Sequence, residues 1–287
     1  MGYAHIDNLY KNQDILMFKM CYALEKIHGT SAHVSFRDGV LKFFSGGEKH
    51  AKFVDLFDEP SLAAKFEELG HDKIVVYGEA YGGKCQGMSE TYGKELKFIA
   101  FDVKIGDVWL SVPDMDQVCR DLGFDIVDWL KVPTNITALD AQRDRSSVQA
   151  VRNGCGVDKK REGVVLRPLI EVTKNNGTRV CAKHKGDDFK ETKTPRRLSP
   201  EKLAVLEEST AIADEWVTEM RLSHVLDKLG NPDITKMGEI IKAMVEDVER
   251  EASGEIVKSK GARKAIGKRA ALMFKARLKN SIGSVWQ

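Results

Sequence analysis

The chain reads as an α+β protein, with antiparallel sheets flanked by helices in its first two thirds and an all-helical remainder. Three observations predict this. Short β-branched and aromatic runs are joined by turn dipeptides, Asp38-Gly39, Gly106-Asp107 and Asn176-Gly177, which suit hairpins. From Pro200 the pattern turns helical, with Ser199-Pro200-Glu201 as a capped start and Gly230 and Pro232 as stops. Between the two lies a basic stretch with a proline (Lys190, Lys193, Pro195, Arg196, Arg197). The expected organisation is therefore a domain over residues 1–190, a linker over 191–198 and a helical domain over 199–287.

Taken in order, residues 7–25 are expected to be helical, with Ile15, Leu16, Phe18, Met20 and Leu24 as apolar positions. A hairpin over residues 32–44 follows, broken by Ser45-Gly46-Gly47. Ser61 is expected to cap a helix ending at Leu69, just before Gly70. The run Lys73 to Tyr77 is a strand that ends in Gly78-Glu79, and residues 87–94 are a loop. Leu96 to Val103 and Val108 to Val112 are strands around Gly106-Asp107. Helices are expected over Met115–Gly123 and Ala138–Asn153. Glu162-Gly163-Val164-Val165-Leu166-Arg167 leads an acid into an apolar strand stopped by Pro168.

If Asn176 and Gly177 form a two-residue loop, residue 175 pairs with 178. Lys183 then lies opposite Ile170 and Lys185 opposite Pro168, on the face that carries Glu162. The parity is right, but Glu162 would lie about 27 Å along a straight strand from Ile170. The sheet must bend near Pro168, or the chain re-enter it, for these charges to share a site. Alternating lysines also serve as ordinary protection of an edge strand.

At 287 residues, 42% hydrophobic and 31% charged, the composition is that of a soluble globular protein with room for one or two cores. No apolar run approaches the roughly 18 residues of a membrane span, and the N-terminus lacks a secretory pattern. Five scattered cysteines without a Cys-x-x-Cys point to reduced thiols in a cytoplasmic, reducing compartment and argue against a structural zinc site. The net charge of +2 hides an asymmetry. Residues 201–255 carry fourteen acidic and six basic side chains, a net −8, while residues 256–287 carry nine basic and no acidic ones, +9. A polyanion contact and a last helix salt-bridged to its acidic neighbours both account for that. At 100° per residue Lys260, Lys264, Lys268, Lys275 and Lys279 fall within a stripe of about 100°, the width of a face tracking a phosphate backbone, although Gly261 and Gly267 weaken the helix.

The chemistry gathers around Lys26. In Glu25-Lys26-Ile27-His28-Gly29-Thr30 a Lys-x-x-Gly element sets one amine at the start of the first hairpin. An ammonium is not a nucleophile, so such a lysine must lose its proton to attack phosphorus. The chain then supplies a strand ending in Gly-Glu, a Phe-Asp pair, Glu-Gly-Val-Val and Lys-x-Lys. Nucleotidyl transfer needs these pieces: a nucleophilic lysine, lysines that offset phosphate charge, a carboxylate for a divalent metal, and an aromatic face for a base.

The motif around Lys26 closely resembles the nucleotidyl-lysine motif of the RNA ligase 2 family, ATP-dependent RNA ligases within the superfamily that includes DNA ligases and capping enzymes. The resemblance covers about residues 20–190 and is looser beyond. It implies that Lys26 takes AMP from ATP, that AMP passes to an RNA 5′-phosphate, and that a 3′-hydroxyl then displaces AMP. By position it implies that Glu79 contacts the ribose, Phe101 stacks on adenine and Glu162 is associated with Mg2+ or Mn2+. Lys183 and Lys185 become the phosphate and catalytic lysines, His28 and Thr30 serve the later steps, and Arg167 matches a further basic position. The partner it implies is RNA with 5′-phosphate and 3′-hydroxyl ends, in a duplex or bridged by a template.

Two positions depart from the family. Ser45 stands where an arginine is usual, which leaves Lys42 and Lys49 as candidates for phosphate near the 5′ end, and Ser31 replaces a frequent asparagine. A DNA ligase or mRNA guanylyltransferase is disfavoured by His28 before Gly29 and by helices where those enzymes place a β-barrel. A catalytically dead RNA-binding protein is disfavoured because binding alone does not require Lys26, Glu162, Lys183 and Lys185 together.

Overall fold

The computed structural model describes residues 2–189 and 200–283. The chain divides into two compact units, Met1–Arg196 and Arg197–Gln287. The stretch 191–198, expected as a linker, lies outside the described residues.

The first unit is α+β, with two antiparallel sheets. Strands β1 (Met20–Lys26), β2 (Thr30–Arg37), β3 (Val40–Ser45), β4 (Lys73–Gly82), β5 (Leu96–Ile105), β6 (Val108–Trp109), β7 (Trp129–Pro133), β8 (Gly163–Pro168) and β9 (Ala182–Lys185) form it. One sheet runs β7-β1-β8-β9 and the other β3-β2-β4-β5-β6. Between them come α1 (His50–Val54), α2 (Glu59–Glu68), α3 (Ser89–Tyr92), α4 (Val112–Leu122), α5 (Ile136–Arg143) and α6 (Val148–Arg152). The main core lies on one face of the five-stranded sheet, where Val34, Phe36, Ile74, Val76 and Val103 meet Phe53, Phe66 and Met115 from the helices. Asp38 and Gly39 both have positive φ, as the primed turn between β2 and β3 demands.

Several expectations need correction. Residues 7–25 are not a helix: a single 3-10 turn over Asp14–Met17 precedes β1. That strand lies between β7 and β8 and buries Cys21, Ala23, Leu24 and Glu25. A strand covered on both faces has no alternation to read, so periodicity could not separate it from a helix. The cap of α2 is Asp58, whose side chain accepts from Ser61 N, and Ser61 itself lies inside the helix. Ser111 caps α4, so that helix starts before Met115. The single helix expected over Ala138–Asn153 is two, capped separately by Asn135 and Ser147. Residues 87–94 include the short α3.

The largest correction concerns register. Gly163 pairs with Lys185 and Leu166 with Ala182, five residues off the pairing extrapolated from Asn176-Gly177. The tight turn is real, since Lys174 N donates to Thr178 O, but it closes only a local excursion with a bridge at Thr173–Arg179. Pro168 ends β8, and the chain re-enters the sheet at Ala182.

The second unit is helical: α7 (Pro200–Trp216), α8 (Glu219–Lys228), α9 (Met237–Glu251) and α10 (Lys260–Gly283). The run expected over 200–229 breaks at Val217-Thr218, where Thr218 caps α8. The glycines of α10 serve packing: a Cβ on Gly261 would meet Ser209 Oγ at 2.5 Å, and one on Gly267 would meet Ile241 at 2.8 Å. Among the described residues no helix is long and apolar enough to cross a membrane.

Candidate active site

The segment from Lys26 to Thr30 carries the chain from one sheet to the other. Lys26 ends β1 and Thr30 starts β2, so the lysine lies at the junction of the two sheets. Gly29 must be glycine, because a Cβ there would lie 2.3 Å from Ala80 O. Lys26 pairs with Gly163, and Gly163 pairs with Lys185. Gly163 combines a φ of +148° with a neighbouring carbonyl, His184 O, only 2.1 Å from any added Cβ. This row across three strands brings Glu162 between two lysines.

Glu162 is the hub. Its Oε2 accepts from Lys26 Nζ at 2.9 Å and lies 3.2 Å from His28 Nδ1, while its Oε1 is 3.0 Å from Lys185 Nζ. The carboxylate is 1% exposed. Burial by itself would raise its pKa, but the His28 hydrogen bond and the Lys26 and Lys185 charges outweigh burial and hold it down to about 2. Glu79 behaves in the opposite way. Burial pushes it up to about 7, with Lys26 opposing the rise and the Glu162 charge adding to it.

Beside this cluster a cavity of about 170 Å3 is lined by Lys26, Glu79, Phe101, Lys183, Ser31 and the N-terminal Tyr3, among others. Phe98 belongs to the core while Phe101 faces the cavity, helped by a register shift opposite Tyr77-Gly78. The neighbours of the key residues fix the supporting strands. Glu25 accepts from Ser147 Oγ at 2.5 Å and Val148 N at 3.0 Å, tying β1 to α6. His184 Nε2 lies 2.6 Å from Asp140, tying β9 to α5.

Four of the anticipated residues thus meet directly, Lys26, His28, Glu162 and Lys185, and Lys26, Glu79, Phe101 and Lys183 share one cavity. Thr30 pairs with Ala80 and lies against the Gly46-Gly47 turn, outside that cluster. Arg167 reaches the cavity wall, but it is buried and committed to Asp102 at 3.0 Å and Glu171 at 2.5 Å. Ser45 pairs with Ala32, on the core side of the sheet, and its buried Oγ has no hydrogen-bond partner. Lys42 and Lys49 are exposed. Lys260, Lys264, Lys268, Lys275 and Lys279 all lie on α10 of the second unit, with Lys260, Lys264 and Lys279 exposed.

Sequence reasoning missed what lies behind Phe101. Asp102 is fully buried and binds both Arg167 and Arg179, and Tyr3 donates to its Oδ2 at 2.7 Å. The Tyr3 ring lies 5.0 Å from that of Phe101, edge to face. The N-terminal segment is held against β9, with Leu9 N donating to Lys183 O and Lys183 N to Asp7 O. The one available signal was Asp102 itself, an acid inside an apolar strand that requires a cation.

Among the described residues no group of three or more histidine, cysteine or carboxylate side chains could hold a metal ion. A closed protein cage is therefore not what these residues fit. They fit an ion that takes a single ionised carboxylate, Glu162, and draws its other ligands from phosphate and water, as Mg2+ does.

A profile of the RNA ligase family matches residues 20–185. A search of curated proteins found no match. Among solved structures the chain is similar to RNA ligase from Naegleria gruberi. An apo form of one mutant matches with a TM-score of 0.51 at 17% identity, over 66% of this chain and 56% of that one. Two lysine mutants of the same enzyme, with ATP and Mn and with AMP and Mn, each match with a TM-score of 0.52 at 16% identity, over 66% and 57%. This chain thus spans a little over half the length of those structures, and at such identity the likeness concerns the fold.

Proposed function

The chain belongs to the RNA ligase family, and on that premise we propose that it joins RNA 3′-hydroxyl and 5′-phosphate ends at the expense of ATP. The observation that carries this is the Glu162 carboxylate holding Lys26, His28 and Lys185 together beside a cavity with an aromatic wall. A binding surface needs no such arrangement. The solved relatives with ATP, AMP and Mn support ATP and a divalent ion as what this site takes.

In the first step the Lys26 Nζ, having given up a proton, attacks the α-phosphorus of ATP. A P–N bond forms, the bond from that phosphorus to the bridging oxygen breaks, and pyrophosphate leaves. Phe101 offers its face to adenine and Glu79 its carboxyl to the ribose. Lys183 and Lys185 offset charge on the phosphates. In the resting site Nζ donates to Glu162, and an amine that has lost one proton can keep this hydrogen bond while its lone pair meets the phosphorus. A divalent ion bound at Glu162 would neutralise charge on the α-phosphate and leaving group. In the second step an oxygen of an RNA 5′-phosphate attacks the same phosphorus, the P–N bond breaks, and Lys26 recovers a proton. In the third, an RNA 3′-hydroxyl attacks the 5′-phosphorus, loses its proton and expels AMP.

The helical unit is proposed to grip RNA. Lys260, Lys264, Lys268, Lys275 and Lys279 lie on the side of α10 opposite Ala262, Ala265, Ile266, Ala270 and Phe274, which are buried. Two arginines of the same helix make ion pairs within the unit, Arg263 with Glu249 and Arg269 with Asp214.

Sealing of a 5′-phosphorylated nick with ATP and Mg2+ or Mn2+ tests the reading, on all-RNA, RNA–DNA hybrid and all-DNA duplexes. Sealing of RNA that Lys26→Ala abolishes is expected. No sealing of any RNA junction, or undiminished sealing by Lys26→Ala, would contradict it.

A further inference from the structure

The face of the five-stranded sheet turned away from the core carries the cavity at one end. Strand register extends that face outward in rows. Ser31 pairs with Glu79, and both line the cavity. One step out, Phe44 pairs with His33 and His33 with Tyr77. Another step out, Lys42 pairs with Ser35. Successive rows along β2 are about 7 Å apart, close to one nucleotide of an unstacked strand.

The middle row is aromatic and continuous. The Phe44 and His33 rings stack 5.0 Å apart at 21°, and the His33 ring lies 5.7 Å from that of Tyr77. Tyr77 in turn touches Tyr3, whose ring reaches Phe101 in the cavity. His33 is 8% exposed and Tyr77 5%, whereas Phe44 at 44% is the only exposed Phe, Tyr or Trp among the described residues. A single exposed apolar side chain needs no explanation by itself. Here the ring is propped from beneath by His33, faces the same way as the nucleotide cavity, and has the exposed Lys42 two residues along the same strand face. Lys42 brings the charge that a phosphate requires, and Phe44 brings the flat face on which any base stacks.

We propose that Phe44, held by His33, is a stacking shelf for the base of the RNA nucleotide next to the adenylate, with Lys42 beside it for that nucleotide's phosphate. The shelf rests on the ligase reading. It also locates a contact to the RNA end in a chain whose Ser45 lies on the core side of the sheet and cannot supply one.

Single-turnover transfer of AMP from the charged protein to a 5′-phosphorylated RNA, measured against RNA concentration, tests it. Charging by ATP is read in the same samples. In Phe44→Ala the RNA concentration for half-maximal transfer should rise by about 5- to 100-fold, with charging by ATP unchanged within about twofold. Phe44→Trp should keep the wild-type value, and Phe44→Leu, apolar but without a flat face, should behave as Phe44→Ala. Removing the base from the terminal nucleotide should cost the wild type a similar factor and cost Phe44→Ala nothing further. An unchanged RNA dependence in Phe44→Ala, wild-type behaviour of Phe44→Leu, or full additivity with base removal overturns the shelf. Failure of the wild type to charge with ATP would instead overturn the ligase reading.

Discussion

Two carboxyl groups that both feel the Lys26 charge are driven in opposite directions by their surroundings. Glu162 stays ionised because three cationic or donor groups converge on it, whereas Glu79 has burial against it and another carboxylate nearby. The rise of Glu79 to about 7 has a consequence for stability. Between roughly pH 4.5 and 7 the unfolded chain has released that proton and the folded chain keeps it. Stability therefore falls as pH rises through this window and levels off above it. Glu79→Gln should remove the fall, so that the variant gains on the wild type by on the order of 2–3 kcal/mol between pH 5 and pH 8. Urea unfolding of both proteins across that range checks it, and parallel curves would contradict it. Most of the residues that meet in the site were legible from their order along the chain, because Lys-x-x-Gly, Glu-Gly and Lys-x-Lys each name a chemistry. Tyr3 and Arg179 were not, since nothing local to either announces that its partner is Asp102, about 100 residues from one and 77 from the other.

At the scale of elements, strand pairing assembles the site and glycines permit the pairing. Gly163 lets β8 lie close between β1 and β9, with Lys26 on one side and Lys185 on the other. A side chain there collides with His184 O and must adopt a φ that L-residues avoid. Gly163→Ala should destabilise the protein by about 3 kcal/mol or more and reduce charging of Lys26 by ATP sharply. Unfolding and charging indistinguishable from the wild type would show that the strands tolerate a wider separation. The register of this hairpin was the main point at which sequence reasoning failed. Asn176-Gly177 does form a tight turn, but Pro168 ends β8 early, and the pairing cannot be extrapolated across the intervening loop. A straight hairpin leaves the charges about 27 Å apart, and re-entry of the chain into the sheet removes that contradiction. The opening helix failed for another reason, because β1 is covered on both faces and its alternation is erased.

For the molecule as a whole, the helical unit and the basic end of the chain were legible from caps, glycine and proline stops, and charge. What charge could not show was which acids these bases meet, as Arg263 meets Glu249 and Arg269 meets Asp214 inside the unit. Replacing Lys260, Lys264 and Lys279 together by alanine should weaken RNA binding and lower the dependence of log affinity on log salt by two to three units, at about 0.7–0.9 for each phosphate no longer neutralised. An unchanged salt slope would remove α10 from the RNA interface. Tandem mass spectrometry of the full chain after incubation with ATP and Mg2+ or Mn2+ tests the Lys26–phosphorus bond most directly. One AMP on Lys26, removed by addition of pyrophosphate or of 5′-phosphorylated RNA, is the predicted result. No adenylate on Lys26 with either ion, or an adenylate carried by another side chain, would contradict it.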